Sequence, residues 1–309
     1  MQLIRSIHHF PRNFSPCALT IGNFDGIHLG HQKILTHLKE KARALNLPTV
    51  VMIFEPQPRE YFQGEKAPAR LMRLRDKLHY FQQAGIDYVI CAKFDRTFAE
   101  QTAQDFISEL LVNKLNVKFL SIGDDFHFGQ ARQGNFALLQ QASQKYGFEV
   151  ENNRTFCLNE LRISSSAIRQ ALAEDRLVDA EKLLGRPYCI WGKVIHGQKL
   201  GRTLGFPTAN IHLHRQVNPI KGVYAVQVKL NCGQIVQGIA NIGQRPTVQG
   251  LIQLLEVHLF DFDQNLYGQN IQVEFCYKLR NEIKFASLEA LKQQIQQDAD
   301  IARAYFHSK

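Results

Sequence analysis

Over the first half of the chain, short apolar runs rich in β-branched residues alternate with longer stretches in which leucine, isoleucine and phenylalanine recur at helical spacing. Ala18-Leu-Thr-Ile-Gly22, Thr49-Val-Val-Met-Ile-Phe54, Tyr88-Val-Ile-Cys-Ala92 and Val117-Lys-Phe-Leu-Ser-Ile122 are predicted strands. Gln32 to Leu45, Leu71 to Ala84, Ala103 to Leu115 and Phe136 to Tyr146 are predicted helices. Strand and helix in strict alternation predict a parallel α/β sheet covered by its helices.

Two shorter helical segments follow, Ser165 to Glu174 and Val178 to Leu184, and then Gly185-Arg-Pro-Tyr188 breaks the pattern. A domain boundary is expected near Gly185, dividing residues 1–185 from 186–309. Beyond it, strands follow one another without long helices: Ile190 to Ile195, Val223 to Leu230, Ile235 to Ala240, Leu255 to Phe260 and Ile271 to Cys276. That pattern predicts an antiparallel β-barrel. From Ser287 to about Tyr305, Leu288, Leu291, Ile295 and Ile301 fall near helical spacing behind a capping serine, so one amphipathic helix is expected to close the barrel. The chain has no repeat or low-complexity tract pointing to a solenoid or a disordered tail.

With 309 residues, 45% of them hydrophobic, there is apolar material for two cores. Lysine and arginine (37) outnumber aspartate and glutamate (28), and a net charge of +9 favours anionic partners: nucleic acid, acidic lipid or phosphates. The basic residues are dispersed and carry no RNA-binding or helix-turn-helix signature, which argues against a nucleic-acid-binding module. No apolar run approaches the ~18 residues that span a bilayer, and Met1-Gln-Leu-Ile-Arg-Ser-Ile lacks a signal-peptide core. A soluble, unexported protein is expected. Cys17, Cys91, Cys157, Cys189, Cys232 and Cys276 are scattered without a C-x-x-C pair, which fits buried thiols in a reducing cytoplasm.

The first concentration of chemistry lies where the strand ending at Gly22 runs through Asn23-Phe-Asp-Gly26-Ile-His28-Leu-Gly30-His31 into a helix. Glycines 26 and 30 allow close backbone approach, and the helix offers unpaired N–H groups and the positive end of its dipole to an anion. Histidines three apart share a face and can donate to phosphate oxygens as charge builds. His-x-x-His also occurs as a metal pair or as hydrogen-bonded structural histidines, but no third ligand is evident nearby. Neither G-x-x-x-x-G-K-[ST] nor G-x-G-x-x-G is present, so P-loop and dinucleotide-oxidoreductase readings lose their usual support. Further on, Ser164, Ser165 and Ser166 precede an amphipathic helix as good caps, with Arg162 and Arg169 able to bridge pyrophosphate oxygens.

Gly22-Asn-Phe-Asp-Gly-Ile-His-Leu-Gly-His31 resembles the signature of the HxGH nucleotidylyltransferases. Gly123-Asp-Asp-Phe-His-Phe-Gly129 and Arg162-Ile-Ser-Ser-Ser-Ala-Ile-Arg169 narrow the resemblance to the adenylyltransferase half of bacterial bifunctional riboflavin kinase/FMN adenylyltransferases. The resemblance implies a Rossmann-like domain in which His28 and His31 bind ATP phosphates, Gly22, Asn23, Phe24 and Asp25 belong to the nucleotide loop, and Arg162, Ser165, Ser166 and Arg169 contact the nucleotide. It also implies Pro56, Pro58, Phe62 and Phe128 as walls of a flavin pocket, where aromatic faces would stack on the isoalloxazine ring. Ser166 stands where members usually have threonine, and Asp125 where some have asparagine.

A second concentration, Gly192 to Asn210, combines Gly197, Gly201 and Gly205 with Lys199, Arg202, Thr208 and Asn210. Such a loop can fold over polyphosphate and offer hard oxygens to Mg²⁺, or simply turn a barrel corner. Gly201-Arg-Thr-Leu-Gly-Phe-Pro-Thr-Ala-Asn210 resembles the riboflavin kinase signature, and Asn241-Ile-Gly-Gln-Arg-Pro-Thr247, Glu256-Val-His-Leu-Phe-Asp-Phe262 and Leu279-Arg-Asn-Glu282 extend the match. It implies a kinase barrel in which Glu256 is the general base, Thr208 and Asn210 hold Mg²⁺ with ATP, and Arg280 lies near the flavin. Without the family, Glu256 reads as an outward-facing carboxylate on an alternating strand.

The function expected is therefore riboflavin to FMN in the barrel and FMN to FAD in the first domain, with ATP, riboflavin and FMN as substrates and neither nucleic acid nor membrane as partner. The alternative is one activity beside a binding or regulatory module. Oligomeric state has no signal in the sequence.

Overall fold

The structure, a computed structural model, describes residues 1–7, 14–153, 157–158, 161–197, 200–215, 217–247 and 250–309. The chain forms two compact units, the first Met1–Pro68 with Met72–Ser165 and the second Ala69–Leu71 with Ser166–Lys309.

In the first unit the chain runs β1 (Gln2–Ile4), β2 (Cys17–Ile21), α1 (Leu29–Ala44), β3 (Thr49–Glu55), α2 (Pro58–Gln63), α3 (Leu74–Gln83), β4 (Tyr88–Lys93), α4 (Arg96–Ala99) and α5 (Ala103–Asp105). Wider π-type turns over Phe106–Lys114 follow, then β5 (Val117–Gly123), α6 (Phe136–Tyr146), β6 (Glu149–Asn153), β7 (Cys157–Leu158) and β8 (Leu161–Arg162). The main sheet has the order β1-β4-β3-β2-β5-β6, all parallel, while β7 and β8 form a small antiparallel pair.

The central strands are buried along almost their whole length because helices cover both faces, as the parallel-sheet expectation requires. Leu19, Met52, Ile90 and Leu120 form the sheet side of the core, with Leu110, Leu111 and Leu139 packed on it. Strands β2, β3 and β4 advance to one side of the sheet, and β5 then returns to the other side of β2. That reversal leaves a crevice beyond the carboxyl ends of β2 and β5, the usual ligand position in such sheets. The sequence reading missed β1 and β6. The first has only three residues, and the second, Glu-Val-Glu-Asn-Asn, is a polar edge strand without an apolar run.

The second unit begins within α7 (Ser165–Ala173) and continues through α8 (Leu177–Leu184), β9 (Cys189–Ile195), α9 (Leu200–Thr203), β10 (Ala209–His212), β11 (Gly222–Lys229), β12 (Ile235–Thr247), β13 (Gly250–Leu259), β14 (Asn270–Arg280) and α10 (Leu288–His307). The strands close as an antiparallel barrel in the order β10-β13-β12-β11-β14-β9. Strand β10, read from sequence as part of a loop, is the short strand that completes it.

The compact units part at Ser165/Ser166, ahead of the boundary expected near Gly185. Asp175, between α7 and α8, accepts hydrogen bonds from the Tyr224 hydroxyl (2.8 Å) and the Lys278 ammonium (3.0 Å), which fastens this helical pair to the barrel strands.

Helix α10 starts at Ser287, whose hydroxyl accepts from the Ala290 N–H at 3.1 Å. Its packing face matches the expected one only in part, Ile295 packing on the barrel cluster. Leu288 and Ile301 are exposed, whereas Ala299 and Ala302 bury against Ala225, Ile239 and Phe260, because small side chains let the helix lie close to the strands. The thiol expectation is corrected in part: Cys17 and Cys91 are buried, but Cys232 is exposed in the turn joining β11 to β12. Cys157 lies where the side chain is outside the described set. No helix among the described residues is long and apolar enough to cross a membrane.

Candidate functional site

The first candidate site lies beyond the carboxyl end of β2. The loop to α1 turns sharply: Phe24 (φ 47°), Gly26 (φ 89°) and Ile27 (φ 39°) all have left-handed backbone. Two of these are bulky side chains, so the loop holds a conformation that costs energy and that the surroundings must impose. Those surroundings are specific. The Asp25 carboxylate, 2% exposed, accepts from the Met72 N–H at 3.0 Å, and the buried Lys77 ammonium donates to the Asn23 carbonyl at 2.7 Å. Lys77 read from sequence only as a helical residue of the 71–84 segment.

His28 caps α1, its Nδ1 accepting from the His31 N–H at 3.3 Å. An accepting Nδ1 puts the proton of the neutral ring on Nε2. The two imidazoles stack face to face, centroids 3.7 Å apart and planes 17° apart, and Phe24 lies against His31 at 4.9 Å. Stacked rings present parallel edges to an anion instead of converging on one ion, and no group of three or more His, Cys, Asp or Glu among the described residues is placed to hold a metal. A Cβ at Gly30 would come within 3.2 Å of the His28 ring, which would have to shift to admit it. Gly22 is similarly crowded, by Phe24.

The serine motif joins this loop through Ser165, whose hydroxyl donates to the Asp25 carbonyl at 2.8 Å. Arg162 is exposed, with Asp124 at 3.9 Å, and Ser166 is exposed. Arg169 donates from Nε to the Ala69 carbonyl at 2.6 Å within the second unit.

The proposed flavin walls separate into two kinds. Pro56 follows β3 and Pro58 opens α2, where Phe62 is 67% exposed against Tyr61 and Phe94. Phe128 is a core residue at 6% exposure, packed on Phe106 with centroids 4.8 Å apart and covering Gly134, which has no room for a side chain. Phe94 and Phe98, beyond the end of β4, extend the aromatic group around Phe62 and were missed in the sequence. Their signal was present in the carboxyl end of a predicted strand. A cavity of about 590 Å³ at the opposite, amino end of the strands is lined by Gln2, Phe14, Asn46 and Tyr88 and holds none of the candidate residues.

The second candidate site is on the outer face of the barrel. Leu255 and Val257 of β13 point into the core, and Glu256 between them is half-buried on the outside. Its register partners are Asn210 on β10 and Asn241 on β12. The Asn210 amide is buried, donates to the Thr208 carbonyl at 3.2 Å, and lies so close beneath Gly197 that any side chain at 197 would collide with it. Gly201 and Gly205 belong to a tight turn closed by the Phe206 N–H on the Gly201 carbonyl at 2.7 Å, with Gly205 left-handed (φ 88°). Arg202 is exposed on this turn, and Lys199 lies outside the described residues.

His258, missed in the sequence although it shares Glu256's strand face, hydrogen-bonds the Pro207 carbonyl at 2.9 Å, and Phe206 packs edge-on to its ring. Burial holds its pKa below the ordinary histidine value, so the ring is neutral and donates through Nδ1. Arg280, expected near the flavin, is held at the end of β14 as a clamp to the terminal helix. Its guanidinium makes three hydrogen bonds of 2.8–3.0 Å to Asp298 on α10 and another to the Asn281 carbonyl.

Comparison with known proteins places two family matches along the chain. The FAD synthetase family model matches residues 10–167 and the riboflavin kinase model residues 184–306. The bifunctional riboflavin kinase/FMN adenylyltransferase of Haemophilus influenzae is 67% identical over 308 residues, covering 100% of both chains. That of Escherichia coli is 57% identical over 99% of this chain and 98% of its own, and that of Pseudomonas fluorescens 49% identical over 98% and 97%. Among solved structures, one described as a macrolide-efflux protein from Streptococcus pneumoniae superposes with a TM-score of 0.80 at 30% identity, covering 98% of each chain. From its nucleotide loop to its terminal helix, the chain belongs to the bifunctional riboflavin kinase/FMN adenylyltransferase family.

Proposed function

We propose that the chain makes flavin cofactors in two steps, residues 186–309 converting riboflavin to FMN and residues 1–185 converting FMN to FAD. What carries this reading is the presence in one chain of two differently built phosphate sites: a histidine pair at a helix N-terminus, and a carboxylate set between two amides beside a glycine-rich turn. The full-length likeness to bifunctional relatives supports it against a single-activity enzyme.

In the kinase half the 5′-hydroxyl of riboflavin attacks the γ-phosphorus of ATP, Glu256 takes the hydroxyl proton, and ADP departs. Gly197, Lys199, Gly201 and Arg202 cradle the phosphates. Thr208 and Asn210 suit Mg²⁺, since both carry hard oxygens and Asn210 commits its amide nitrogen, not its oxygen, to the Thr208 carbonyl. Bound there with ATP, the ion would neutralise charge on the phosphate oxygens. His258 steadies the main chain leading to Thr208. Arg280 serves the flavin site by fixing the end of β14, its charge being matched by Asp298.

In the adenylyltransferase half an oxygen of the FMN phosphate attacks the α-phosphorus of ATP, the bond to the β-phosphate breaks, and pyrophosphate leaves with the electron pair. His28, His31 and the N-terminus of α1 stabilise the crowded transition-state charge. Gly22, Asn23, Phe24 and Asp25 shape the nucleotide loop, and Arg162, Ser165, Ser166 and Arg169 take the departing phosphates. Pro56, Pro58 and Phe62 wall the flavin, with Phe128 supporting the pocket from the core. A cytoplasmic setting, where ATP is plentiful and thiols stay reduced, fits the buried Cys17 and Cys91.

The test is to incubate the protein with riboflavin, ATP and Mg²⁺ and to separate flavins over time. FMN first and FAD second is the expected result. FMN alone, with no FAD even from added FMN, would reduce the first domain to a binding role.

A further inference from the structure

At one level of the barrel's outer face, Asn210, Glu256 and Asn241 stand directly opposite one another on β10, β13 and β12. Opposed residues in an antiparallel ladder share a face, so the three side chains form one row with the carboxylate in the middle. The two ends of the row are built differently. Asn210 lies beneath Gly197 at the glycine-rich loop. Asn241 lies beside the segment after β14, where its Nδ2 donates to Glu282 Oε1 at 3.3 Å. The Glu282 carboxylate occupies the space that a side chain at Gly243 would need.

That hydrogen bond uses the nitrogen of Asn241 only. Its Oδ1 is buried and has no hydrogen-bond partner among the described residues. Buried carbonyl oxygens are paired in the great majority of native sites, and exceptions call for a reason such as a ligand or catalytic role. Here the orphan oxygen lies next in the row to the proposed base.

We infer that Asn241 is a substrate-binding residue of the kinase half, its side-chain oxygen accepting a hydrogen bond from a secondary hydroxyl of the polyol chain whose terminal hydroxyl meets Glu256. The inference rests on reading Glu256 as base and riboflavin as the phosphoryl acceptor. With the nucleotide phosphates at the Asn210 end and the base between, the alcohol must approach from the Asn241 end. The groups waiting there, an amide oxygen and the Glu282 carboxylate, are both acceptors and match a run of O–H donors. The Glu282 charge also repels a phosphorylated chain, so the same end of the row favours riboflavin over FMN as acceptor.

The experiment uses the full-length protein with MgATP and compares riboflavin with analogues that each lack one secondary ribityl hydroxyl. Asn241→Ala should raise the riboflavin KM about tenfold, the size of one lost hydrogen bond, and leave the KM for MgATP unchanged. It should also lose the native preference for riboflavin over one of the analogues, because that hydroxyl no longer has a partner, while Asn241→Ser, which keeps an acceptor, recovers part of the preference. If circular dichroism shows Asn241→Ala misfolded, the same comparison in Asn241→Ser decides. An unchanged riboflavin KM, a parallel rise for riboflavin and MgATP, or an intact preference in a folded variant would overturn the inference while native kinase activity leaves the kinase reading standing. Native protein that makes no FMN from riboflavin would overturn both.

Discussion

The Ser165 hydroxyl and the Asp25 carbonyl, 140 positions apart in sequence, are joined by a 2.8 Å hydrogen bond that ties the serine motif to the strained nucleotide loop. Ser165→Ala removes one neutral hydrogen bond, so stability should fall by only about 1 kcal/mol. The bond helps to fix the strained loop, however, and FAD formation from FMN should fall about tenfold, with riboflavin phosphorylation unchanged. Restored FAD formation in Ser165→Thr would assign the effect to the hydroxyl. Equal loss of both activities would assign it to general damage.

The two chemistries should separate by mutation. His28→Ala deletes a donor to the proposed transition state and should lower FAD formation roughly 10²–10³-fold while FMN still accumulates. Glu256→Gln keeps the shape of the barrel face but takes no proton, and should lower FMN formation roughly 10²–10⁴-fold while added FMN is still adenylylated. Assays of each variant on each flavin give four rates. A variant that loses both activities in a folded protein contradicts the division of labour.

Acid should loosen the edge strand β6 where α1 grips it. Glu151 lies 2.5 Å from the His37 ring nitrogen, and Lys41 bonds both Glu151 and Glu149. Burial alone would raise the Glu151 pKa, but hydrogen bonds from Lys41 and His37 outweigh it, and the carboxyl sits below its ordinary value of 4.5. The folded state therefore binds this proton more weakly than the unfolded chain. Its contribution to stability is complete above pH about 4.5 and is lost as the pH falls through the folded pKa. Denaturation midpoints of Glu151→Gln should fall less steeply between about pH 5 and 3 than those of the native chain, with little difference at pH 7 because the group is partly exposed. Parallel acid limbs would exclude the cluster as a source of acid sensitivity.

The cysteines should differ sharply in reactivity. Burial pushes the Cys17 thiol up to about 12, and its Sγ donates to the Leu115 carbonyl at 3.2 Å, while Cys232 is exposed in a turn. At pH 8 the thiolate fraction of Cys17 is roughly a thousandfold below that of an ordinary exposed cysteine. Alkylation followed by peptide mass spectrometry should mark Cys232 first and Cys17 only under denaturing conditions. Rapid native labelling of Cys17 would contradict its burial.

The parallel sheet and barrel were legible because apolar residues on β2, β3 and β11 are dense enough to stand out from their surroundings. Strands β6 and β10 were not, since one is polar and the other only four residues long inside a glycine-rich run. The α10 face was legible only in part, for a related reason: Ala299 and Ala302 make its most buried apolar contacts beside Ile295, and periodicity weighs leucine and isoleucine more heavily. At the sites, His28, His31 and Glu256 stood in recognisable strings. Lys77, His258 and Asn241 did not, because their significance comes from a burial or a strand register that joins distant segments.

Closure of the barrel by β9 and β14 sets an order of assembly. Cys189–Glu274 and Lys193–Asn270 are pairs in the final seam, so about eighty residues must be made and threaded into neighbouring strands before the first barrel strand finds that partner. Strands β2, β3 and β4, by contrast, pair in near-sequential order through helical connections. During synthesis the nucleotide-binding half can thus mature early, while β9 waits with an unpaired edge that nascent-chain chaperones or stray strands are able to capture. The kinase half is the one whose yield should depend on how fast the chain emerges.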